Sequence, residues 1–232
     1  MRIHGFQKLT LLDYPEHLAA TVFTGGCNFR CPFCHNSELL CLGEDALTIS
    51  EEEVFAHLRK RKGVLQGVCI TGGEPTLQSD LTEFIRKVKE LGYLVKLDTN
   101  GFRPDVVEQL IEQGLLDYVA MDIKASPENY ALATGVPGIG MAPIFRTVEL
   151  LKQGRIPYEF RTTVVKGIHT TEEFEIIGTW LAGSTAYYIQ SYKHSDNVLS
   201  PHMCGEYTCG ELEDIASIMR KYVDKVVLRG VE

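Results

Sequence analysis

The 232-residue sequence predicts an α/β fold, an open, partial parallel β/α barrel of about six units. Short β-branched or aromatic runs alternate with amphipathic helical runs roughly every 25–35 residues. No Pro/Gly-rich linker interrupts that alternation, so a single domain is expected over residues 1–232. About six or seven units are too few to close a barrel that needs eight, so the sheet should stay open.

The elements follow in order. Ala20–Thr24 is the first strand candidate. Ser50-Glu51-Glu52-Glu53 then reads as a capping box, with the Ser50 hydroxyl on an early amide and Glu53 reaching back. That helix should end near Lys62, with Gly63 as its left-handed stop. Val68–Thr71 is the second strand, and Phe84, Ile85, Val88 and Leu91 form the stripe of a helix closed by Gly92. Leu94–Asp98 follows, then a helix with Pro104 in its first turn, Val107, Leu110 and Ile111 inside, and Gly114 at its end. Tyr118–Ile123 precedes the stripe Ile144, Val148 and Leu151 before Gly154. Phe160–Val165 leads to a second capping box, Thr170 with Glu173, ahead of Phe174, Ile177 and Leu181. Tyr187–Ser191, a helix bearing Leu212, Ile215 and Met219, and Lys225–Leu228 complete the chain. The strands are short and apolar, as buried parallel strands are.

Composition narrows the function classes. Apolar residues make up 44%, with ten Tyr and ten Phe, enough for a sizeable core. A net charge of −8, from 23 Lys+Arg against 31 Asp+Glu, argues against a nucleic-acid partner, which would call for a basic patch. No run approaches the length of a membrane span, so no membrane partner is expected. The seven cysteines are odd in number, and Met1-Arg2-Ile3-His4 lacks an apolar signal core. Free or metal-bound thiols in a reducing cytoplasm fit this better than disulfides.

Three of those cysteines, Cys27, Cys31 and Cys34, sit in one run from Gly25 to Asn36, expected to be a cluster loop. Three closely spaced thiolates can hold three corners of a four-iron cubane, and no fourth cysteine has similar spacing. Electron-transfer clusters take four cysteines and structural zinc takes four ligands. An open iron position is instead suited to binding and polarising a substrate atom.

Other polar groups fall at successive strand ends, where parallel sheets bind ligands. Thr71-Gly72-Gly73-Glu74-Pro75 follows the second strand, Asp98-Thr99-Asn100-Gly101 closes the third, Asp122 and Lys124 close the fourth, and Arg161 lies on the fifth. Singly, the Gly-Gly and Asn-Gly steps also read as ordinary turns, and Asp122 with Lys124 as a surface pair. Their joint placement downstream of a three-cysteine loop favours a site.

In these residues the sequence resembles the radical S-adenosylmethionine superfamily, whose signature is Cys-x3-Cys-x2-Cys, and the likeness extends over nearly the whole chain. The resemblance implies the open barrel of that family and a [4Fe–4S] cluster on Cys27, Cys31 and Cys34. It implies S-adenosyl-L-methionine chelated to the fourth iron and cleaved by one electron to methionine and a 5′-deoxyadenosyl radical, so that the cofactor carries the hard chemistry. Phe33 then lies beside the adenine. Gly72, Gly73 and Glu74 receive the methionine amino group, and Asp122 and Lys124 hold the amino, carboxylate and ribose ends. Arg161 and Gln190 are further cofactor-binding candidates. A monovalent cation is implied at Asp98, Thr99 and Asp122, and Asp98 is counted among the cofactor contacts.

The Cys34-His35-Asn36 ending, the Asp98-Thr99-Asn100-Gly101 turn and Asp122-Ile123-Lys124 are similar to glycyl-radical-enzyme activases. Leu11-Leu12-Asp13-Tyr14-Pro15, leading into Phe23-Thr24-Gly25-Gly26-Cys27-Asn28, resembles the anaerobic ribonucleoside-triphosphate reductase activating set. The resemblance implies abstraction of a glycine Cα hydrogen in a partner glycyl radical enzyme, with a flavodoxin or ferredoxin as electron donor. The alternatives are activation of a pyruvate formate-lyase-type enzyme, or small-molecule chemistry like that of a 7-carboxy-7-deazaguanine synthase. A non-enzymatic electron-transfer or zinc module is the third class. One departure is Lys166, where activases often carry proline. Cys41 and Cys69 read as packed apolar residues. His202, Cys204 and Cys209 match no standard metal spacing and read as a loop before the last helix. Lys193 and His194 read as solvated loop residues.

Overall fold

The computed structural model describes every residue except Cys41, Glu44, Asp45, Asp196 and Glu232. Eight strands follow one another in the sheet in chain order, with β1 and β8 as the two edges of an open α/β array. They are β1 Ile3–Thr10, β2 Ala19–Thr24, β3 Gly67–Gly72, β4 Leu94–Thr99, β5 Tyr118–Asp122, β6 Tyr158–Val164, β7 Ala186–Ser191 and β8 Lys225–Arg229. The seven expected strands all occur, each within a residue or two of its expected bounds. β1 was not anticipated. It pairs antiparallel with β2 and exposes Gln7, Lys8 and Leu9, so it carries no apolar alternation to announce it. The pairs β2–β3, β3–β4, β6–β7 and β7–β8 are parallel.

The chain divides into two compact units, Met1–Asn28 with Glu38–Ala120 and Arg155–Pro157, and Phe29–Ser37 with Met121–Gly154 and Tyr158–Glu232. In the first, α1 Glu51–Lys60, α2 Leu81–Glu90 and α3 Pro104–Glu112 accompany β1 to β4. Val68, Cys69, Ile70, Val95 and Leu97 of its strands, Val54 and Leu58 of α1 and Ile85 and Val88 of α2 are fully buried. Each such side chain contributes about 1.5–3 kcal/mol relative to exposure. Cys69 is thus the packed apolar residue expected, whereas Cys41 lies outside the described residues. Ser50 caps α1 by accepting from the Glu53 amide at 3.2 Å. The helix ends at Lys60, two residues before the expected stop, and Gly63 adopts a φ of 84° in the turn that follows.

The second unit holds α4 Tyr130–Thr134, α5 Ala142–Lys152, α6 Glu173–Trp180 and α7 Cys209–Met219. Its core includes Ile144, Val148, Phe160, Phe174, Ile177, Tyr187, Ile189, Ile215 and Met219. α4 was not anticipated, because one helical turn leaves no periodic stripe. The expected Thr170 capping box is corrected in part. α6 starts only at Glu173, whose Oε2 accepts from the Thr170 amide at 3.1 Å while Oε1 accepts from the Ser126 hydroxyl at 2.7 Å. The complete capping box lies elsewhere, at Thr208 and Glu211 of α7. Arg229 anchors β8 by donating to both oxygens of the fully buried Glu159 at 3.0 and 3.2 Å. No helix among the described residues is long and apolar enough to cross a membrane.

Backbones pass closely where β2 and β3 end side by side, with Thr24 opposite Gly72. A Cβ on Gly72 would sit 2.3 Å from the Thr24 nitrogen, and one on Gly73 would sit 2.1 Å from the Gly26 oxygen. Both obstacles are backbone, which cannot swing aside. We expect Gly73→Ala to cost about 1–3 kcal/mol in denaturant unfolding. Gly210→Ala, in helical backbone with open space around it, should be neutral or stabilising by up to about 1 kcal/mol. Equal stability of the two variants would refute the close-approach account.

Candidate active site

In the first unit the site is built around the backbone that leads into Cys27. The Gly73 amide donates to the Thr24 carbonyl at 2.9 Å and the Glu74 amide to the Gly26 carbonyl at 2.8 Å. Gln78 Nε2 donates to the Gly25 carbonyl at 2.8 Å, and the Gly26 amide to the Leu39 carbonyl at 2.7 Å. Cys27 therefore leaves a loop clamped on several sides. Asn100 Nδ2 donates to Asn28 Oδ1 at 2.8 Å and lies 3.9 Å from Cys27 Sγ, which links the end of β4 to the first cysteine.

Glu74 is 1% exposed. Its Oε1 accepts from the Thr76 amide at 3.0 Å, the Thr76 hydroxyl at 2.5 Å and the Thr99 hydroxyl at 2.8 Å, and its Oε2 from the Asn100 amide at 2.7 Å. Burial pushes the carboxyl pKa up, against the pull of those donors. A role as a freely offered acceptor, as expected from the sequence, must share the group with this bracing. Asp98, 8% exposed, is ion-paired with Lys96, whose side chain is 1% exposed. Thr99 accepts from the Gly101 amide at 3.1 Å as well as donating to Glu74.

In the second unit Cys31 and Cys34 flank a turn closed by the Cys34 amide on the Cys31 carbonyl at 3.0 Å. The Arg30 amide donates to the Thr134 carbonyl at 2.8 Å, an approach that needs Gly135, whose Cβ would meet the Arg30 oxygen at 2.3 Å. The Ser200 amide donates to the Pro32 carbonyl at 2.8 Å, and His35 Nε2 lies 2.8 Å from the Lys193 carbonyl. Phe33 is buried, its ring 6.0 Å from that of His169.

Asp122 ends β5 between two cations. Arg161 Nε donates to Oδ1 at 2.6 Å and Lys124 Nζ to Oδ2 at 3.0 Å. Burial would raise the Asp122 carboxyl, but Arg161 and Lys124 outweigh it and hold it well below the usual carboxylate range. Burial would likewise lower the Lys124 ammonium, yet Asp122 and the Cys31 thiol keep it above its ordinary value. Lys124 also acts on Cys34, whose thiol burial nevertheless pushes up. The Lys124 backbone is fixed on both sides. Its amide donates to the Tyr130 hydroxyl at 3.3 Å, and its carbonyl accepts from His169 Nε2 at 2.7 Å. His169 Nδ1 accepts from the Val165 amide at 3.0 Å, so the proton of the neutral ring belongs on Nε2. Gln190 sits half-buried at the end of β7, level with Thr163 and Arg229.

Lys166 explains its own departure from proline. Its amide donates to the Gly205 carbonyl at 2.9 Å, a bond proline cannot make, and its Nζ pairs with Glu211 at 2.7 Å. Lys193 and His194 are exposed, as expected of solvated loop residues. Cys204 approaches the Ser200 carbonyl at 3.4 Å, and Cys209 is exposed at the start of α7. Lys96, Tyr130 and His169 were not picked out from sequence, and Asn100 only as a member of the turn closing β4. Lys96 alone had a signal, a lysine in the middle of the apolar run Leu94-Val95-Lys96-Leu97.

The donor set suits the groups the family uses. Thiols are the donors that iron–sulfur clusters take. The ammonium beside Cys31 and Cys34 offsets charge when metal displaces their protons. Neither unit by itself gathers three His, Cys, Asp or Glu side chains for a metal ion among the described residues; Cys27 belongs to one unit, Cys31 and Cys34 to the other.

Comparisons with known proteins bear on the family. A Methanocaldococcus jannaschii protein named as a candidate glycyl-radical enzyme activating enzyme is 33% identical over 99% of this chain and 96% of its own length. A candidate GTP 3′,8-cyclase of Thermococcus kodakarensis is 30% identical over 66% of this chain, which spans half of the cyclase. The solved structure of Streptococcus suis SuiB with its precursor peptide SuiA shares the fold at a TM-score of 0.67 and 16% identity, over 89% of this chain and 48% of SuiB. The profile of the radical SAM superfamily matches residues 21–180. The chain therefore belongs to the radical SAM superfamily, an enzyme family of iron–sulfur and S-adenosylmethionine chemistry.

Proposed function

We propose that this protein is a glycyl-radical-enzyme activase. The observation that carries the proposal is the end-to-end match to the M. jannaschii protein so named, which leaves almost none of either chain unmatched. In this reading Cys27, Cys31 and Cys34 hold a [4Fe–4S] cluster. When bound, the cluster and S-adenosylmethionine supply one electron and a 5′-deoxyadenosyl radical.

The chain's own residues do the binding. Lys124 and Arg161 hold Asp122 as a carboxylate able to accept from ribose hydroxyls, and Lys124 presents an ammonium for the cofactor carboxylate. Phe33 offers an apolar face for the adenine. The Gly72 and Gly73 carbonyls and Glu74 are proposed to receive the amino group, and Gln190 to contact the cofactor from β7. The hydrogen removed is a glycine Cα hydrogen of a partner protein, with anaerobic ribonucleoside-triphosphate reductase as the favoured partner on the resemblance carried by Leu11–Pro15 and Phe23–Asn28. A flavodoxin or ferredoxin is proposed as electron donor. A free monovalent cation is left out, because Asp98 is already paired with Lys96.

The deciding experiment is electron paramagnetic resonance of reduced, reconstituted enzyme with S-adenosylmethionine and candidate partners. A doublet-split organic radical on the reductase is the expected result, and the same signal only on a pyruvate formate-lyase-type enzyme would reassign the partner. Turnover of a nucleobase precursor with no protein radical would replace the reading with small-molecule chemistry.

Two variants separate cluster from cofactor. Cys31→Ala should lose cluster iron on reconstitution. Lys124→Ala should keep it and bind S-adenosylmethionine about tenfold more weakly by calorimetry, as for the loss of one charge-assisted contact. Full iron in the first, or unchanged affinity in the second, would remove that residue from the site.

Asp122 also gives a pH dependence with a definite sign. Its folded pKa is depressed below an unfolded value of about 3.9. Its contribution to stability is thus present above about pH 4 and is lost as pH falls toward the folded pKa. The melting temperature of cofactor-free protein should fall more steeply from about pH 5 to about pH 3 in the wild type than in Asp122→Asn. Parallel curves would contradict this linkage.

A further inference from the structure

Lys96 is the least expected residue of the first unit. It occupies the middle of β4, opposite Cys69 of β3, and both side chains are buried, at 1% and 0% exposure. A buried ammonium is costly unless an opposite charge meets it. Its Nζ pairs with Asp98, two residues along the same strand face, and lies 4.0 Å from Cys69 Sγ. Asp98 is the carboxylate at which the sequence resemblance places a free monovalent cation, with Thr99 beside it. Thr99 already gives its hydroxyl proton to Glu74 and accepts from the Gly101 amide. A second cation on Asp98 would have to bind next to an ammonium in a low-dielectric setting, where like charges repel most strongly.

Taking these strand ends as the S-adenosylmethionine site proposed above, we propose that Lys96 is a tethered monovalent cation. Its ammonium stands at Asp98 in place of a free potassium or sodium ion. A singly charged ammonium on a four-carbon stem matches the charge of an alkali cation and is always present at its site. Lys96 is a positioning residue in this scheme, acting through Asp98. Cofactor binding in this enzyme then needs no added alkali cation.

The test is a cation series on anaerobically reconstituted full-length protein, with potassium, sodium or choline at equal ionic strength. Wild-type affinity for S-adenosylmethionine, read by calorimetry, should vary by no more than about twofold across the series. Lys96→Met should bind weakly in choline and recover about tenfold in potassium, as expected when a second ligand restores a missing charge. Melting of the cofactor-free protein is the independent arm. Potassium should raise the midpoint of Lys96→Met and leave the wild type unchanged.

A wild type whose affinity drops about tenfold in choline would overturn the proposal. So would a Lys96→Met protein indifferent to potassium in both arms. If the variant does not fold, the wild-type series decides alone. If the wild type binds no S-adenosylmethionine in any salt, the cofactor site is wrong, while the melting arm still judges Lys96.

Discussion

The close pass of two backbones, Gly26 beside Gly73, is the constraint on which the first unit depends. A Cβ on Gly73 would have no room there, so the chain entering Cys27 is held by the end of β3 through peptide groups, with the Thr24 hydroxyl on the Thr71 carbonyl beside them. That contact sets the direction in which the cysteine segment leaves the sheet. It also delivers Glu74 to a fully desolvated position, where four donors converge on one carboxylate. Two of those donors, the Thr99 hydroxyl and the Asn100 amide, belong to the end of β4. Three successive strand ends are thereby locked in register before any cofactor is considered.

A second theme is how each unit treats the acid at a strand end. Asp98 is met by Lys96 and Asp122 by Lys124, in both cases a lysine two residues away on the same strand. Successive side chains of a strand alternate faces, so a spacing of two places acid and base side by side without any help from the rest of the fold. The outcomes differ. Lys96 is sealed inside, whereas Lys124, with 18% of its side chain exposed, retains access to a ligand. Arg161 adds a further cation to Asp122, and with Lys124 it outweighs the upward push of burial on that carboxyl. Tyr130 and His169 then fix the Lys124 backbone, so the ammonium is aimed by two further segments of the second unit.

Membership of the radical SAM superfamily follows from the match across residues 21–180. What the enzyme acts on is a narrower matter, because relatives with different printed activities match this chain at similar identity, 33% and 30%. Substrate choice in such folds lies in loops beyond the strand ends. Here the segment after β6 carries Lys166, whose amide donates to the Gly205 carbonyl. Those contacts tie the loop to the approach of α7, where Lys166 also pairs with Glu211.

Much was legible in the sequence, and the reason is local physics. The seven apolar strands, the glycine stops after α2, α3 and α5, Pro104 in the first turn of α3 and the Ser50 cap are all dictated by residues within a few positions of one another. The cysteine spacing and the polar strand ends were equally plain, because they lie on short contiguous runs. β1 and α4 were not, since a half-exposed edge strand and a single helical turn carry no periodic signal. Lys96 could be seen as odd but not explained, for its burial and its place opposite Cys69 depend on how β4 packs against β3. His169 and Tyr130 reach Lys124 from 45 and 6 residues away, and Glu74 gains donors 25 and 26 residues downstream. The sequence by itself determined which side chains could do chemistry and at which strand ends they would fall. Only tertiary structure decided which carboxylates are braced, which are paired with a buried cation and which remain within reach of a ligand, because those properties depend on desolvation and on donors supplied from distant parts of the chain.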